Sequence, residues 1–338
     1  MINFLPLPLV LCGSAVLVLI SAFIFVNSIE YIGYRMHLGG SFVSAILSPL
    51  FTSLPEMIVF LVAVFAYAGQ AGQDIGIGTI FGQPFMASSL SYGLVGIAVL
   101  ASYLFKKRAS LNMTVDKTLI IPYTFILILF PLALLPGLID LASVRIVCGC
   151  VFIGSFIFYI WLMHRRRGEE IIEEAEMPYF ARLLPESPRN GIIMAVVQLV
   201  VAAIVLYFGS REMVQSVDLL AKSLGVSTMG LALVIIPAAT AIPETASAII
   251  WSYRGKDTFS IGSLVGEKIL YCSFYPGLAL FVTAWRLDIH AYMSVIATTI
   301  ISLVLLFFIA RQKIPWWGLC FGFIFFIAYA FIVFTLHI

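Results

Sequence analysis

The chain has 338 residues, 62% of them hydrophobic and only 11% charged, with a formal net charge of +2. An ordinary soluble domain carries about a quarter charged residues, so this composition excludes a water-soluble fold. The small net charge, with basic residues in short clusters rather than on one face, also excludes a nucleic-acid partner. The chain belongs in a lipid bilayer.

Allowing about 20 predominantly apolar residues per crossing, ten spanning segments are predicted, at roughly 6–33, 41–68, 75–105, 118–137, 142–163, 191–209, 226–251, 258–284, 289–310 and 315–336. No Lys or Arg precedes the first apolar run, so that run is expected to remain as a spanning helix rather than a cleaved leader. The one extended polar connection, 164–190, carries Arg165, Arg166 and Arg167 and then Glu169, Glu170, Glu173, Glu174 and Glu176, and it divides the chain five plus five. This acidic run reads as a solvated, charge-paired face rather than a regulatory cation site. The five cysteines lack the paired spacing of a zinc site and read as packing residues.

Basic loops stay cytoplasmic. With the N-terminus outside, fourteen Lys and Arg fall on the inner side and four, Arg145, Arg211, Lys222 and Arg286, on the outer, while Lys268 falls within a segment. Both termini are therefore expected outside, with 164–190 cytoplasmic, in a membrane that suits the cell surface.

The halves repeat. A constant offset of 188 sets Ser28-Ile29-Glu30 on Ser216-Val217-Asp218, Pro49 on Pro237, Thr52 on Thr240, Pro55 on Pro243 and Glu56 on Glu244. Beyond a shorter loop, an offset of 184 sets Gly78 on Gly262, Gly82 on Gly266, Ser89 on Ser273 and Gly93-Leu94 on Gly277-Leu278. Five crossings per copy invert the second copy, and inverted repeats place their substrate near the midplane where corresponding interrupted helices meet. The predicted fold is an all-α integral membrane protein of ten transmembrane helices in two inverted five-helix repeats, spanning 1–163 and 191–338.

Charged residues at membrane depth cost at least about 2.5 kcal/mol and are functional by default. Here they are Glu56, Glu244, Glu267 and Lys268. Pro55 and Pro243 each remove a backbone donor beside a glutamate, and Thr52 and Thr240 lie one helical turn earlier. Carboxylates, hydroxyls and freed carbonyls are the hard oxygen ligands that Ca2+ takes. With Lys268 protonated, the cluster carries a net charge near −2, which one divalent cation or two protons neutralise. Lys268 reads either as a tethered cation competing with the substrate or as a structural partner of Glu267. Glu30 and Asp218 match across the repeat and read as gating or interfacial charges.

The segments Phe51-Thr52-Ser53-Leu54-Pro55-Glu56 and Ala239-Thr240-Ala241-Ile242-Pro243-Glu244 resemble the Gly-Thr-Ser-Leu-Pro-Glu signature of the cation/Ca2+ antiporter superfamily, which includes the Na+/Ca2+ exchangers. The resemblance covers both halves, with the signature-bearing α-repeats at about 41–105 and 226–284. It implies alternating access by sliding of the first and sixth helices, and cation ligation by Thr52, Ser53, Glu56, Thr240 and Glu244. Where the family has Gly-Ser-Asn, this chain has Gly82-Gln83-Pro84 and Gly266-Glu267-Lys268, and where it often has Asn or Asp, this chain has Ala87 and Tyr271. Gln83 and Glu267 thus stand in for familiar ligands, and Na+ coupling does not carry over. The expected activity is exchange of Ca2+, or a similar divalent cation, for H+ or Na+, with inorganic cations and lipid as partners and no cofactor. A sensory protein with Lys268 in the site, or a carrier of another solute, are the alternatives. No catalytic motif stands in the membrane segments, so no enzyme is expected.

Overall fold

A computed structural model describes residues 6–35, 53–165, 176–183 and 188–335. In chain order its helices are α1 (Leu7–Arg35), α2 (Leu54–Leu61), α3 (Gly69–Met86), α4 (Tyr92–Leu104), α5 (Ile120–Leu132), α6 (Leu135–Leu138), α7 (Ala142–Arg165), α8 (Pro188–Leu224), α9 (Thr228–Thr240), α10 (Ile242–Tyr253), α11 (Asp257–Cys272), α12 (Phe274–Val282), α13 (Ile289–Ala310), α14 (Trp316–Cys320) and α15 (Gly322–Thr335). A π-helical turn, Val62–Tyr67, extends α2, and another, Ala87–Ser91, joins α3 to α4. The helices reverse the soluble pattern: Val147, Phe158, Val200 and Phe208 are exposed, whereas Gln83, Glu267 and Lys268 are buried. Such an exterior suits lipid, and the helical form keeps backbone groups paired within each segment.

Seven stretches among the described residues are long and apolar enough to cross a bilayer, and α9 with α10, bent by 55°, makes an eighth. The predicted second and eighth segments differ. Of the second, 41–52 lie outside the described residues and Leu54–Tyr67 is a short apolar helix. The eighth is broken at Ser273 into α11 and α12. Pro276 explains that break, because it has no N–H to offer the Cys272 carbonyl.

The sixth predicted segment, 191–209, is too short: α8 has 37 residues and runs on through Arg211, Asp218 and Lys222. At 1.5 Å per residue it is about 55 Å long, well beyond the hydrocarbon thickness. No Gly or Pro interrupts the chain between Gly209 and Gly225, and Asp218 pairs with Lys222 one turn later at 2.7 Å. Asp218 is consequently a buried helical residue, not a loop charge.

Two tight contacts position the interior. The first runs along α1 and α8, where Leu11 and Val18 pack with Leu206, Met213 and Val217. The second joins α3 to α9. A Cβ on Gly78 would meet the Met229 carbonyl at 2.8 Å, and one on Gly82 would strike the Leu233 carbonyl. Two glycines one turn apart thus let the backbones touch, as small residues do between membrane helices.

At one end of the bundle, strands β1 (Asn112–Thr114) and β2 (Lys313–Pro315) pair antiparallel, a small ladder the apolar pattern does not announce. Beside it Arg108 holds Asp257 through both guanidinium nitrogens, at 2.6 and 2.7 Å. At another, Arg145 donates to the Thr283 carbonyl and Trp285 Nε1 to the Ala133 carbonyl. All five cysteines are free, and Cys12 and Cys150 are exposed rather than packed inside.

Candidate cation site

The repeated Pro-Glu pair produces the same local structure twice. Pro55 and Pro243 stand in the first turns of α2 and α10, where a missing N–H costs nothing. Glu56 and Glu244 follow in those first turns. A helix N-terminus carries partial positive charge and favours an anion there. The second proline thus stands just past the 55° bend between α9 and α10, and each proline opens a helix whose first turn carries a carboxylate.

Glu267, from the middle of α11, completes the cluster. One carboxylate oxygen from each of Glu56, Glu244 and Glu267 lies within 4.8 Å of the others. Glu56 and Glu267 are 2% and 3% exposed, which takes the cluster out of bulk water, and Glu244 is half-buried. Glu56 Oε2, Glu244 Oε2 and both Glu267 oxygens have no hydrogen-bond partner among the described residues. Three buried carboxylates this close repel one another, so the arrangement calls for a cation or for protons.

Polar neighbours surround them. Gln83 Nε2 donates to Thr240 Oγ1 at 2.8 Å, leaving Gln83 Oε1 unbonded, and Thr240 lies against Glu56. The Ser53 hydroxyl is engaged by Tyr275, with the two oxygens 2.5 Å apart. Tyr271, one turn beyond Glu267 on α11, is buried with its hydroxyl unbonded among the described residues. Residue spacing alone points to Tyr271, since positions i and i+4 share a helix face. Tyr275 gives no such signal, because it lies past the break at Ser273.

Lys268 stands apart from this cluster. Its ammonium donates to Ser302 Oγ at 3.0 Å and lies 5.4 and 5.2 Å from the ring centres of Tyr92 and Tyr123. Consecutive helical residues point about 100° apart, so Glu267 and Lys268 enter different pockets. Asp218 accepts from Lys222 and from the Tyr67 hydroxyl, away from the carboxylate cluster. Thr52 and the side chain of Glu30 lie outside the described residues.

A helical bundle with an apolar exterior and an acidic, oxygen-rich cluster inside it has the architecture of a membrane cation transporter, and comparison with known proteins supplies the family. The model of the family described as "Sodium/calcium exchanger protein" matches residues 6–164 and 194–336, and the chain belongs to that family. The putative antiporter CaxA of Alkalimonas amylolytica is 26% identical over 286 residues, covering 82% of this chain and 81% of that protein. A crystal structure of the H+/Ca2+ exchanger CAX superposes with a TM-score of 0.75 at 17% identity, over 99% of this chain and 86% of that one. The sodium-calcium exchanger NCX_Mj superposes with a TM-score of 0.56 at 21% identity, over 98% and 99%.

Proposed function

We propose that this protein is a secondary antiporter that moves Ca2+, or a divalent cation like it, across the membrane in exchange for H+, at a site formed by Glu56, Glu244 and Glu267 with Gln83 and the signature residues Thr52, Ser53 and Thr240. The observation that carries this reading is the triad of buried carboxylates within 4.8 Å, four of whose oxygens make no bond to the protein. Ca2+ takes six to eight oxygen ligands, carboxylates first among them. H+ is preferred to Na+ as the coupling ion because carboxylates without a fixed counter-charge can be neutralised by protons when the ion leaves. Kinship with an antiporter over most of the chain supports exchange rather than channel or pump activity.

The same reading takes the chain as ten crossings in two inverted repeats, monomeric, with both termini outside the cell membrane. In support, the matching Pro-Glu helix starts of α2 and α10 converge, and the equivalent serines Ser89 and Ser273 both bond back to the carbonyl one turn earlier, at 2.6 and 2.5 Å. The loops that hold the predicted inner basic residues also meet, through Arg108 with Asp257 and β1 with β2. Asp218 and Glu30 are assigned to gating on opposite faces. The seat of Lys268 against Tyr92, Tyr123 and Ser302 speaks against an ammonium filling the ion's place.

The test is uptake of radiolabelled Ca2+ into proteoliposomes under an imposed pH gradient and, separately, a Na+ gradient, with Glu244→Gln as control. Uptake driven by the pH gradient and abolished in the variant is expected. Uptake driven by Na+ alone would replace H+ as the coupling ion, and uptake retained in Glu244→Gln would displace the site.

A further inference from the structure

We infer that the phenol oxygen of Tyr271 is itself a ligand of the transported cation, a neutral donor that joins the carboxylate, amide and hydroxyl oxygens of the site. This rests on the cation site proposed above and adds to it a residue of a type that does not normally bind Ca2+.

Six tyrosines among the described residues are buried: Tyr31, Tyr92, Tyr123, Tyr271, Tyr275 and Tyr329. Five of the hydroxyls are hydrogen-bonded: Tyr31 to Arg35, Tyr123 to Tyr92, Tyr275 to Ser53 and Tyr329 to the Gly230 carbonyl. The Tyr271 hydroxyl has none. A buried hydroxyl without a bond is costly, and a fold that satisfies the other five leaves this one beside the acidic cluster.

Its surroundings restrict what can satisfy it. Tyr271 lies one turn beyond Glu267 on α11, on the same face of that helix. Its ring stands edge-on to Tyr275 with centroids 4.6 Å apart, and Tyr275 is in turn fixed by two contacts to Ser53, at 2.5 and 3.1 Å. That ring stack ties Tyr271 to Ser53, three residues before Glu56. The unbonded buried oxygens at this locus are Glu56 Oε2, Glu244 Oε2, Glu267 Oε1, Glu267 Oε2, Gln83 Oε1 and Tyr271 Oη. Six is the lower limit of the Ca2+ coordination number. A neutral phenol adds an oxygen without a fourth negative charge, so the shell gains a ligand with no further repulsion.

The experiment is equilibrium binding of radiolabelled Ca2+ to the full chain purified in detergent, for the wild type, Tyr271→Phe, Tyr329→Phe and Glu244→Gln, with melting temperatures measured alongside. Tyr271→Phe is expected to bind about tenfold more weakly, the equivalent of one lost ligand at roughly 1.4 kcal/mol, with its melting temperature unchanged. Tyr329→Phe, whose hydroxyl is already bonded to the Gly230 carbonyl, is expected to bind as the wild type does. Wild-type affinity in Tyr271→Phe alongside lost binding in Glu244→Gln would overturn the phenol ligand while leaving the carboxylate site standing. Wild-type affinity in Glu244→Gln would overturn the site itself. Should Tyr271→Phe fail to fold, the wild-type ultraviolet difference spectrum decides: a Ca2+-induced tyrosine signal supports the ligand, and a flat tyrosine region overturns it.

Discussion

Glu267 and Lys268 are consecutive on α11 and serve different pockets: the carboxylate joins Glu56 and Glu244, while the ammonium bonds Ser302 at 3.0 Å between the rings of Tyr92 and Tyr123. The wild-type protein should therefore bind Ca2+ with Lys268 in place, and Lys268→Met, which preserves the stem, should bind it too. The loss should fall on stability, because Ser302 and two aromatic faces lose their cation. Calcium binding that appeared only in Lys268→Met would instead put the ammonium in the ion's place. Calorimetry on the purified pair of proteins separates the two outcomes.

The clasp between Arg108 and Asp257 joins the loop after α4 to the start of α11. At 8% and 6% exposed, these side chains are too buried to behave as a surface pair. Asp257 also accepts from the Thr114 N–H at 2.8 Å, and Arg108 donates to the Ser252 carbonyl at 2.7 Å. Removing one partner of such a pair costs about 3–5 kcal/mol by stranding the other. Arg108→Met should lower thermal stability in detergent by that order, and adding Asp257→Asn should recover part of the loss. A purely additive double variant would show that the two residues are not coupled.

The glycines of α3 separate contact from repetition. Gly82→Ala drives a methyl group into the Leu233 carbonyl and the Pro237 ring, beside the bond from Gln83 to Thr240. Overpacking of this kind costs about 1–3 kcal/mol, and Ca2+ affinity should fall with it as Gln83 shifts. Gly262, the repeat partner of Gly78, has only Leu119 Cδ2 near its would-be Cβ, at 3.9 Å, so Gly262→Ala should be silent in the same binding assay. Equal losses from Gly82→Ala and Gly262→Ala would contradict the packing argument.

Much of the site was legible because charge at membrane depth is conspicuous. Glu56, Glu244 and Glu267 stand out against apolar segments, and the repeated Pro-Glu pair foretells that the first two meet. The seat of Lys268 was not legible: helical geometry separates it from Glu267, but which pocket receives it depends on Tyr92, Tyr123 and Ser302, three residues distant in sequence. Tyr271 was marked by its spacing of four from Glu267, whereas Tyr275, past the break at Ser273, reads as packing until its hydroxyl is counted. Among the helices, α8 outran its apolar stretch because Asp218 and Lys222 neutralise each other one turn apart, whereas the break at Ser273 had a local signal in Pro276.

If one divalent cation exchanges with protons on the three carboxylates, its binding releases protons that can be counted. Ca2+ is added to weakly buffered protein in detergent near neutral pH, and released H+ is read with an indicator dye. Keeping a buried site near neutrality requires about two protons to leave for each Ca2+ that binds. The account predicts that release, a Ca2+ affinity that rises with pH because protons compete for the same oxygens, and neither response in Glu244→Gln. Stoichiometric Ca2+ binding with no proton release, reversed by Na+, would contradict it.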